Sequence, residues 1–273
     1  MAGHCPNAAG CGASGLTMLQ ATRECLAIAD VELRKLVRDP TELLSRAIQP
    51  MLWLTVFGQV LSHARGIDTG QMGYLAFMTP GILAQSVLFS AIFYGIAVIW
   101  ERDLGIVYKL LVSPANRSSL VIGKAISAAF RGLLQAAVIY LIAMALGVPL
   151  RMGVRSVTCV VLVVTLGSAI FSTFSLIIAC LVKTRERFMG IGQVLTMPLF
   201  FASNAIYPLE MMPGWLRVVA IANPLTYFVD ALRGLMIQGG ESAYGLAWDC
   251  GVLLLVFLLL LAIAVRLYPN LAR

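Results

Sequence analysis

Residues 206–240 read IYPLEMMPGWLRVVAIANPLTYFVDALRGLMIQGG, and this apolar stretch decides the fold because it cannot cross a membrane in one piece. It is divided by helix-breaking residues: Pro208, Pro213, Pro224 and Gly239-Gly240. The two pieces, 213–222 and 224–236, would form helices about 15 to 20 Å long, against roughly 30 Å for a hydrocarbon core. Broken helices are tolerated at membrane depth only where protein or a water-filled cavity covers the backbone. We therefore expect 208–240 to form two re-entrant helices that enter and leave by the same side.

The second of these helices has a clear start signal. The side chain of Asn223 can cap free backbone N–H groups, and Pro224 would occupy the first helical position, where its missing donor costs nothing. Asp230 and Arg233 follow on the same helix at a spacing that allows an ion pair. We interpret this pair as structural in preference to a direct contact with substrate.

The composition of the whole chain is that of a polytopic membrane protein. The 273 residues are 60% apolar and only 12% charged, with a mean hydropathy of +0.89. The net charge of +7 is spread between hydrophobic runs and forms no single basic patch, so we expect membrane topology and no nucleic-acid partner. The 6 cysteines include no CxxC pair, which disfavours a metal site or a disulfide framework.

The N-terminal region is expected to lie on the inner membrane surface. Residues 1–21 predict a disordered cytoplasmic tail, because they lack both the basic start and the apolar core of a signal peptide. Residues 22–38 place apolar residues at helical spacing, with basic residues off that stripe at Arg34, Lys35 and Arg38. This pattern predicts an interfacial helix facing lipid phosphates, or alternatively an amphipathic helix packed on protein.

The hydropathy of the rest of the chain predicts an all-α integral membrane protein with six transmembrane helices. The predicted spans are 46–61, 74–100, 120–146, 157–182, 188–207 and 246–265. The re-entrant segment 208–240 separates the last two. Six spans put both chain ends on the same side of the membrane.

The basic residues orient this topology. They are concentrated in the segments that share a side with the N-terminus, so we place both termini in the cytoplasm and the re-entrant helices outside. Lys124 and Arg131 fall in the inner half of the third span, on one helix face. We interpret both as snorkelling to the inner interface, with a position lining a cavity as the alternative.

The chain offers no obvious source of energy for transport. Its Asp and Glu residues lie outside the predicted spans or at their ends, whereas an ion-coupled carrier usually needs a carboxylate near mid-membrane. No span carries the acid-base or metal-ligand cluster of a membrane enzyme. The sequence also lacks the GxxxxGK[ST] loop that binds nucleotide phosphates. If the protein moves a substrate uphill, another subunit must therefore supply the work.

Residues 101–119, between the second and third spans, are a candidate docking point for such a subunit. Val107, Leu110 and Leu111 can form one apolar face of a short cytoplasmic helix, which Ser113-Pro114 would end. A short helix with exposed apolar residues and charged flanks suits protein docking. A solvated loop is the alternative interpretation of the same pattern.

Two motifs in this chain resemble those of a known family. Residues 101–124, ERDLGIVYKLLVSPANRSSLVIGK, resemble the cytoplasmic signature of type-2 ABC exporter permeases, close to ERE.GT...LLVSP..R....GK. Residues 223–234, NPLTYFVDALRG, resemble that family's motif ahead of the last span. The order and spacing of the elements also match, so the resemblance covers nearly everything after about residue 22. The sequences LLVSP and NPLTY are most similar to those of the drug-resistance and nodulation-factor branch of the family.

The resemblance implies that 22–273 form one type-2 transmembrane domain in a bacterial inner membrane. It implies a permease homodimer that pairs with two copies of a separate ATPase subunit, which bind ATP and Mg, so that this chain carries no cofactor and is not itself an enzyme. The expected function is export of an amphiphilic drug, lipid or glycolipid. Export of polysaccharide or lipid-linked glycan is the alternative, ahead of an ion-coupled transporter.

The resemblance also assigns residues to two sites. The ATPase-coupling signature comprises Glu101, Arg102, Asp103, Gly105, Leu110, Leu111, Pro114 and Arg117. The outer re-entrant motif comprises Asn223, Pro224, Tyr227, Asp230, Arg233 and Gly234. The chain departs from the family at 106–108, which read IVY where the family often has a Gly-Thr turn and a Glu, so the contact with the ATPase is expected to differ in detail.

Overall fold

The computed structural model describes Arg34 and residues 48–63, 72–106, 117–182 and 184–268, and these ranges are almost entirely helical. A 3-10 helix at Leu209–Met211 and an isolated antiparallel bridge between Leu150 and Ile237 lie outside the main helices. Numbered along the described chain, the helices are α1 at 48–63, α2 at Tyr74–Asp103, α3 at Arg117–Ala145, α4 at Val154–Leu181, α5 at Arg185–Phe201, α6 at Gly214–Ala222, α7 at Pro224–Met236 and α8 at Leu246–Leu267.

Several expectations from the sequence fall outside the described residues. The tail at 1–21 and nearly all of the interfacial helix at 22–38 are among them, and there Arg34 alone is described, as helical and exposed. The same holds for most of the docking segment, including Leu110, Leu111 and Pro114. Arg117 is described only as the first residue of α3.

In the described part of the chain, four helices are long and apolar enough to cross a membrane: Tyr74–Asp103, Leu120–Ala145, Val154–Leu181 and Leu246–Leu267. Their ends lie within a few residues of the second, third, fourth and sixth predicted spans. Ile48–Leu61, within α1, is a shorter apolar helix. The two re-entrant pieces expected at 213–222 and 224–236 correspond to α6 and α7.

α5 ends earlier than the sequence predicts, at Phe201 and not near residue 207. The cause lies in the carbonyl groups at its end. The Asn223 amide donates to Leu199 O at 2.6 Å and to Ala202 O at 3.2 Å, and Arg233 donates to Asn204 O at 2.6 Å. Side chains from the following segment donate hydrogen bonds to these carbonyl oxygens. The carbonyls are therefore paired without another turn of helix.

α4 lies at the centre of the described helices and packs against α2, α3, α7 and α8. Close approach is possible where a glycine faces a large neighbour: a Cβ on Gly167 would lie 2.5 Å from the Phe228 ring of α7. Similarly, a Cβ on Gly81 of α2 would lie 2.3 Å from Ala205 O, so the chain after α5 runs directly against α2. α1 and α5 pack mainly on α2 and keep exposed apolar faces.

Candidate coupling site and outer motif

The chain makes a sharp turn where it leaves α2. Leu104 caps the helix, and its N–H donates to Trp100 O at 3.0 Å. Gly105 follows with a φ of 72°, and its N–H donates to Arg102 O at 2.9 Å. A left-handed residue at this place is a common helix ending and strongly favours glycine. The backbone conformation of this turn therefore explains why the predicted coupling signature has a glycine at this position.

Glu101 and Lys124, the first and last residues of the 101–124 motif, form an ion pair. The Lys124 ammonium lies 2.6 Å from Glu101 Oε2, and both residues are buried. The pair joins the last turn of α2 to α3 at the base of the connection between them. Removing either partner, or separating the two, would leave an unpaired buried charge, which is strongly unfavourable. The pair therefore holds the two helices in this relative position.

The prediction that Lys124 and Arg131 snorkel to the inner interface is wrong. Both residues are buried, at 5% and 7% exposure. Lys124 is held by its carboxylate partner, and Arg131 lies 4.8 Å from the centre of the Tyr94 ring, on whose face Lys124 also sits at 5.6 Å. The physical reason is that an anion and an aromatic face inside the helix bundle replace the water that an interface position would provide.

The end of α2 is also connected to the turn between α4 and α5. Asp103 forms an ion pair with Arg185 at 2.8 Å, and Arg102 donates to Val182 O at 3.2 Å. The Arg185 guanidinium lies 3.6 Å from the centre of the Trp100 ring. These contacts are partly exposed, so each stabilises only modestly, but together they bring α2, α4 and α5 to one place.

The residues that continue from this point present apolar surface. Leu104 is 68% exposed and Ile106 is 39% exposed, just beyond the tightly held end of α2. Trp100 is half exposed beside them. An exposed apolar group on a rigid base, flanked by charged side chains, is the chemistry expected of a protein-docking surface.

The outer motif begins at the predicted cap. Asn223 Oδ1 accepts from Leu225 N at 3.0 Å and Pro224 is the first residue of α7, as the sequence predicts. Tyr227 turns back and donates from its hydroxyl to Ile221 O at 2.8 Å, which ties α7 to the end of α6. Asn223 thus serves two helices, because its amide nitrogen binds the carbonyls at the end of α5.

Arg233 is a buried cation with several partners. Its guanidinium lies 3.8 Å from Asp230, so the predicted ion pair is present, and 3.9 Å from the centre of the Phe77 ring of α2. Burial lowers the pKa of Arg233 to about 10, opposed by the nearby carboxylates of Asp230 and Glu210. The side chain therefore stays charged at neutral pH.

Asp230 belongs to a second cluster that sequence reasoning missed. Ser242 Oγ lies 3.0 Å from Asp230 Oδ2 and 2.8 Å from Asp249 Oδ2, so it bridges α7 and the first turn of α8. The sequence placed Asp249 at the end of a span but did not show that it is fully buried. No motif marks Ser242 or Asp249, and only the fold brings them to Asp230.

The connection between α3 and α4 lies at the same end of the molecule as the outer motif. Arg151 donates to Gly234 O at 3.0 Å and to Gly240 O at 3.3 Å. Next to it, the bridge between Leu150 and Ile237 adds backbone hydrogen bonds. Gly234 thus contributes its carbonyl to this clamp, and Arg151 is a further residue that the motif does not contain.

No group of three or more His, Cys, Asp or Glu residues with metal-binding geometry occurs in the ranges that the structure covers. The cysteines described there, Cys159, Cys180 and Cys250, are unpaired thiols.

The long apolar helices and the broken segment at α6 and α7 together are those of a helical membrane protein. The model of the ABC-2 type transporter family matches residues 23–237, well over half of the sequence, and the chain therefore belongs to that family. The family expected from the two motifs is confirmed.

Individual relatives agree with this assignment. The chain is 32% identical over 203 residues to ycf38 of Cyanophora paradoxa, whose name describes a transport permease, with 74% of this chain and 70% of the relative covered. It is 25% identical over 235 residues to the daunorubicin resistance ABC transporter permease protein DrrB1 of Streptomyces coeruleorubidus, covering 85% and 81%. It is 25% identical over 187 residues to nodulation protein J of Bradyrhizobium diazoefficiens, covering 67% and 70%.

Proposed function

We propose that this chain is the membrane subunit of an ATP-driven exporter and that a separate ATPase subunit docks on residues 101–119. The main support for the proposal is the structure of the chain where it leaves α2. There, exposed Leu104 and Ile106 follow directly after residues that are fixed to three other helices. ATP and Mg belong to the ATPase in this scheme, and the chain itself performs no catalysis.

The end of α2 is connected to the outer helices through a continuous series of contacts in the described helices, along which a displacement could be transmitted. The Glu101–Lys124 pair carries it to α3, and the Asp103–Arg185 pair carries it to the start of α5. The backbone carbonyls at the end of α5 and just after it in turn accept hydrogen bonds from the side chains of Asn223 and of Arg233 in α7. A displacement of the α2 exit would therefore move the outer helices through packed and hydrogen-bonded contacts.

We propose that α1 and α5 complete a six-span topology, with both termini in the cytoplasm of a bacterial inner membrane. Both helices keep one exposed apolar face, which suits lipid or a second permease. In the proposed complex, two copies of this chain form a homodimer that binds two ATPase subunits. The opposite positions of the α2 exit and the Arg151 clamp support an inner and an outer end of the molecule.

We propose an amphiphilic substrate, such as a drug, lipid or glycolipid, in keeping with the daunorubicin-resistance and nodulation names of two relatives. Glycan export is the alternative within the same class. An ion-coupled carrier is not favoured, because none of the three buried carboxylates lies at the middle of a long apolar helix. Glu101 is in the last turn of α2, Asp249 is in the first turn of α8, and Asp230 belongs to the short helix α7.

The test is purification of the intact complex from source membranes with a docking variant, Leu104→Ser combined with Ile106→Ser. A matched control changes exposed apolar residues at the outer helix α6, Val218→Ser with Val219→Ser. We expect a P-loop ATPase to co-purify with the wild type and the control but not with the docking variant, while all three elute as folded protein. An ATPase that is retained equally by all three, or absent from all three, would contradict docking at 101–119.

A further inference from the structure

We propose that Asp230, Ser242 and Asp249 form a site that binds one proton and fastens α7 to the start of α8. The two carboxylates come from different helices, and both are almost completely buried, at 1% and 0% exposure. Their Oδ2 atoms contact the same hydroxyl oxygen, so they lie less than about 6 Å apart.

The hydrogen bonds around Ser242 favour this proton. A serine hydroxyl has one hydrogen to donate and two lone pairs that accept. The Gly245 N–H occupies one lone pair at 2.7 Å, and Asp230 and Asp249 both lie within hydrogen-bonding distance. The single Ser242 hydrogen would have to be shared between two carboxylates if both were ionised. When one carboxyl group is protonated and donates to Ser242, the hydroxyl hydrogen serves the other carboxylate alone and every bonding position of the hydroxyl is satisfied.

The charges around the site place the proton on Asp249. Asp230 also accepts from Tyr244 N at 3.2 Å and lies 3.8 Å from the Arg233 guanidinium, so its negative charge is stabilised. Asp249 has Ser242 as its hydrogen-bond partner, and its Oδ1 is buried with no partner in the described residues. With Asp249 neutral, Asp230 and Arg233 balance, and the buried cluster carries no net charge.

Other titratable groups near the site do not supply this charge balance. Tyr227 and Tyr244 have pKa values raised by burial, so both stay neutral near neutral pH. Three further groups lie nearby: Glu210 before α6 acts on Arg233, Arg217 on α6 acts on Tyr244, and Cys250 on α8 is close to Asp249 and to Cys159 of α4. From α2, the apolar ring of Phe77 covers Arg233.

Water at the outer end has access to the site through the loop between α7 and α8. Glu241, Tyr244 and Gly245 in this loop are exposed, and Ser242 is half-buried. The proton therefore exchanges with the outer solution. Its loss would leave two carboxylates in contact with one hydroxyl, and their repulsion would push the start of α8 away from α7.

The direct test is infrared spectroscopy of the purified protein in lipid nanodiscs, recording the carbonyl stretch of protonated carboxyl groups at about pH 5, where exposed carboxyl groups are mostly ionised. We expect a protonated-carboxyl band in the wild type that disappears in Asp249→Asn and in Asp230→Asn, since either change leaves one acid that can ionise. Glu241→Gln, which removes an exposed carboxylate from the same loop, is the matched control and should keep the band. A wild type without the band, or a band that survives in both aspartate variants, overturns the proposal.

Thermal unfolding gives an independent readout. Ionisation of the second carboxyl group would weaken the link between α7 and α8, so wild-type stability should fall as the pH is raised. Asp249→Asn should fold normally and lose this dependence, because its amide N–H can donate to Ser242 as the protonated acid does. Stabilisation by sodium at constant pH, together with no infrared acid band, would show that a metal ion neutralises the pair and would exclude the proton.

Discussion

Glu101 and Lys124 are 23 residues apart in sequence, yet their side chains meet at 2.6 Å inside the protein. They are the first and last residues of the 101–124 motif, so the two ends of that motif are joined at a single point. A loop that is anchored in this way transmits displacement to both helices together. The ion pair therefore explains in structural terms why a charged residue stands at each end of the motif.

Replacing Lys124 with Met should destabilise the protein by about 3 to 5 kcal/mol, because Glu101 would remain buried without its cation. The double variant Glu101→Leu, Lys124→Met should regain most of this loss, since no buried charge is left. Thermal unfolding of the purified protein measures both effects. Asp103→Asn, which breaks a partly exposed pair, should cost less than about 1 kcal/mol. A double variant less stable than Lys124→Met would contradict the argument.

Gly105→Ala should disturb the turn after α2 at a cost of about 1 to 2 kcal/mol, because an L side chain is strained at its φ of 72°. Among the residues that the structure describes, no atom lies within 4 Å of the added Cβ, so the expected effect comes from the backbone. Gly105→Asn should cost less, since Asn tolerates the left-handed conformation. ATPase retention during purification should follow the same order, and equal retention by both variants would argue against a role for the turn.

Gly167→Ala should destabilise the protein by about 1 to 3 kcal/mol, because its Cβ would overlap the Phe228 ring. The matched control is Gly251→Ala in α8, where no atom in the described part of the chain lies within 4 Å and the change should be neutral or stabilising. Thermal unfolding should also show partial rescue of Gly167→Ala by Phe228→Leu. A double variant that is less stable than Gly167→Ala alone would show that overlap with the Phe228 ring is not the cause of the destabilisation.

Asn223→Ala should lower stability by about 2 to 3 kcal/mol, since it removes a helix cap and leaves carbonyls at the end of α5 unpaired. Asn223→Ser keeps an oxygen that can cap α7 but is too short to replace the amide contacts with Leu199 and Ala202. Its cost should therefore be intermediate. Equal unfolding temperatures for the Ser variant and the wild type would show that the cap alone matters.

Much of this fold can be predicted from local sequence signals. Uniformly apolar stretches locate α2, α3, α4 and α8, because the bilayer requires long helices of that composition. Proline positions locate α6 and α7, and the Asn223 cap follows from residue type alone. These features depend on neighbours in sequence, which is why they can be recognised without the structure.

The remaining features depend on contacts between distant residues. The end of α5 is set by Asn223 and Arg233, which lie on later segments. Lys124 is buried because Glu101 and Tyr94 of another helix face it, and its own span gives no sign of either. The same is true of Ser242 and Asp249, whose partner lies on α7. Hydropathy describes one helix at a time, so it cannot report such pairs.

The central position of α4 has a consequence for biosynthesis. α1, α2 and α3 are made before α4, whereas α7 and α8, which cover its remaining surface, are made last. Until then, the surface of α4 at Gly167, which the Phe228 ring of α7 covers in the finished protein, faces lipid. The newly made chain therefore passes through a stage in which its innermost helix packs on α2 and α3 but still exposes its opposite side to lipid.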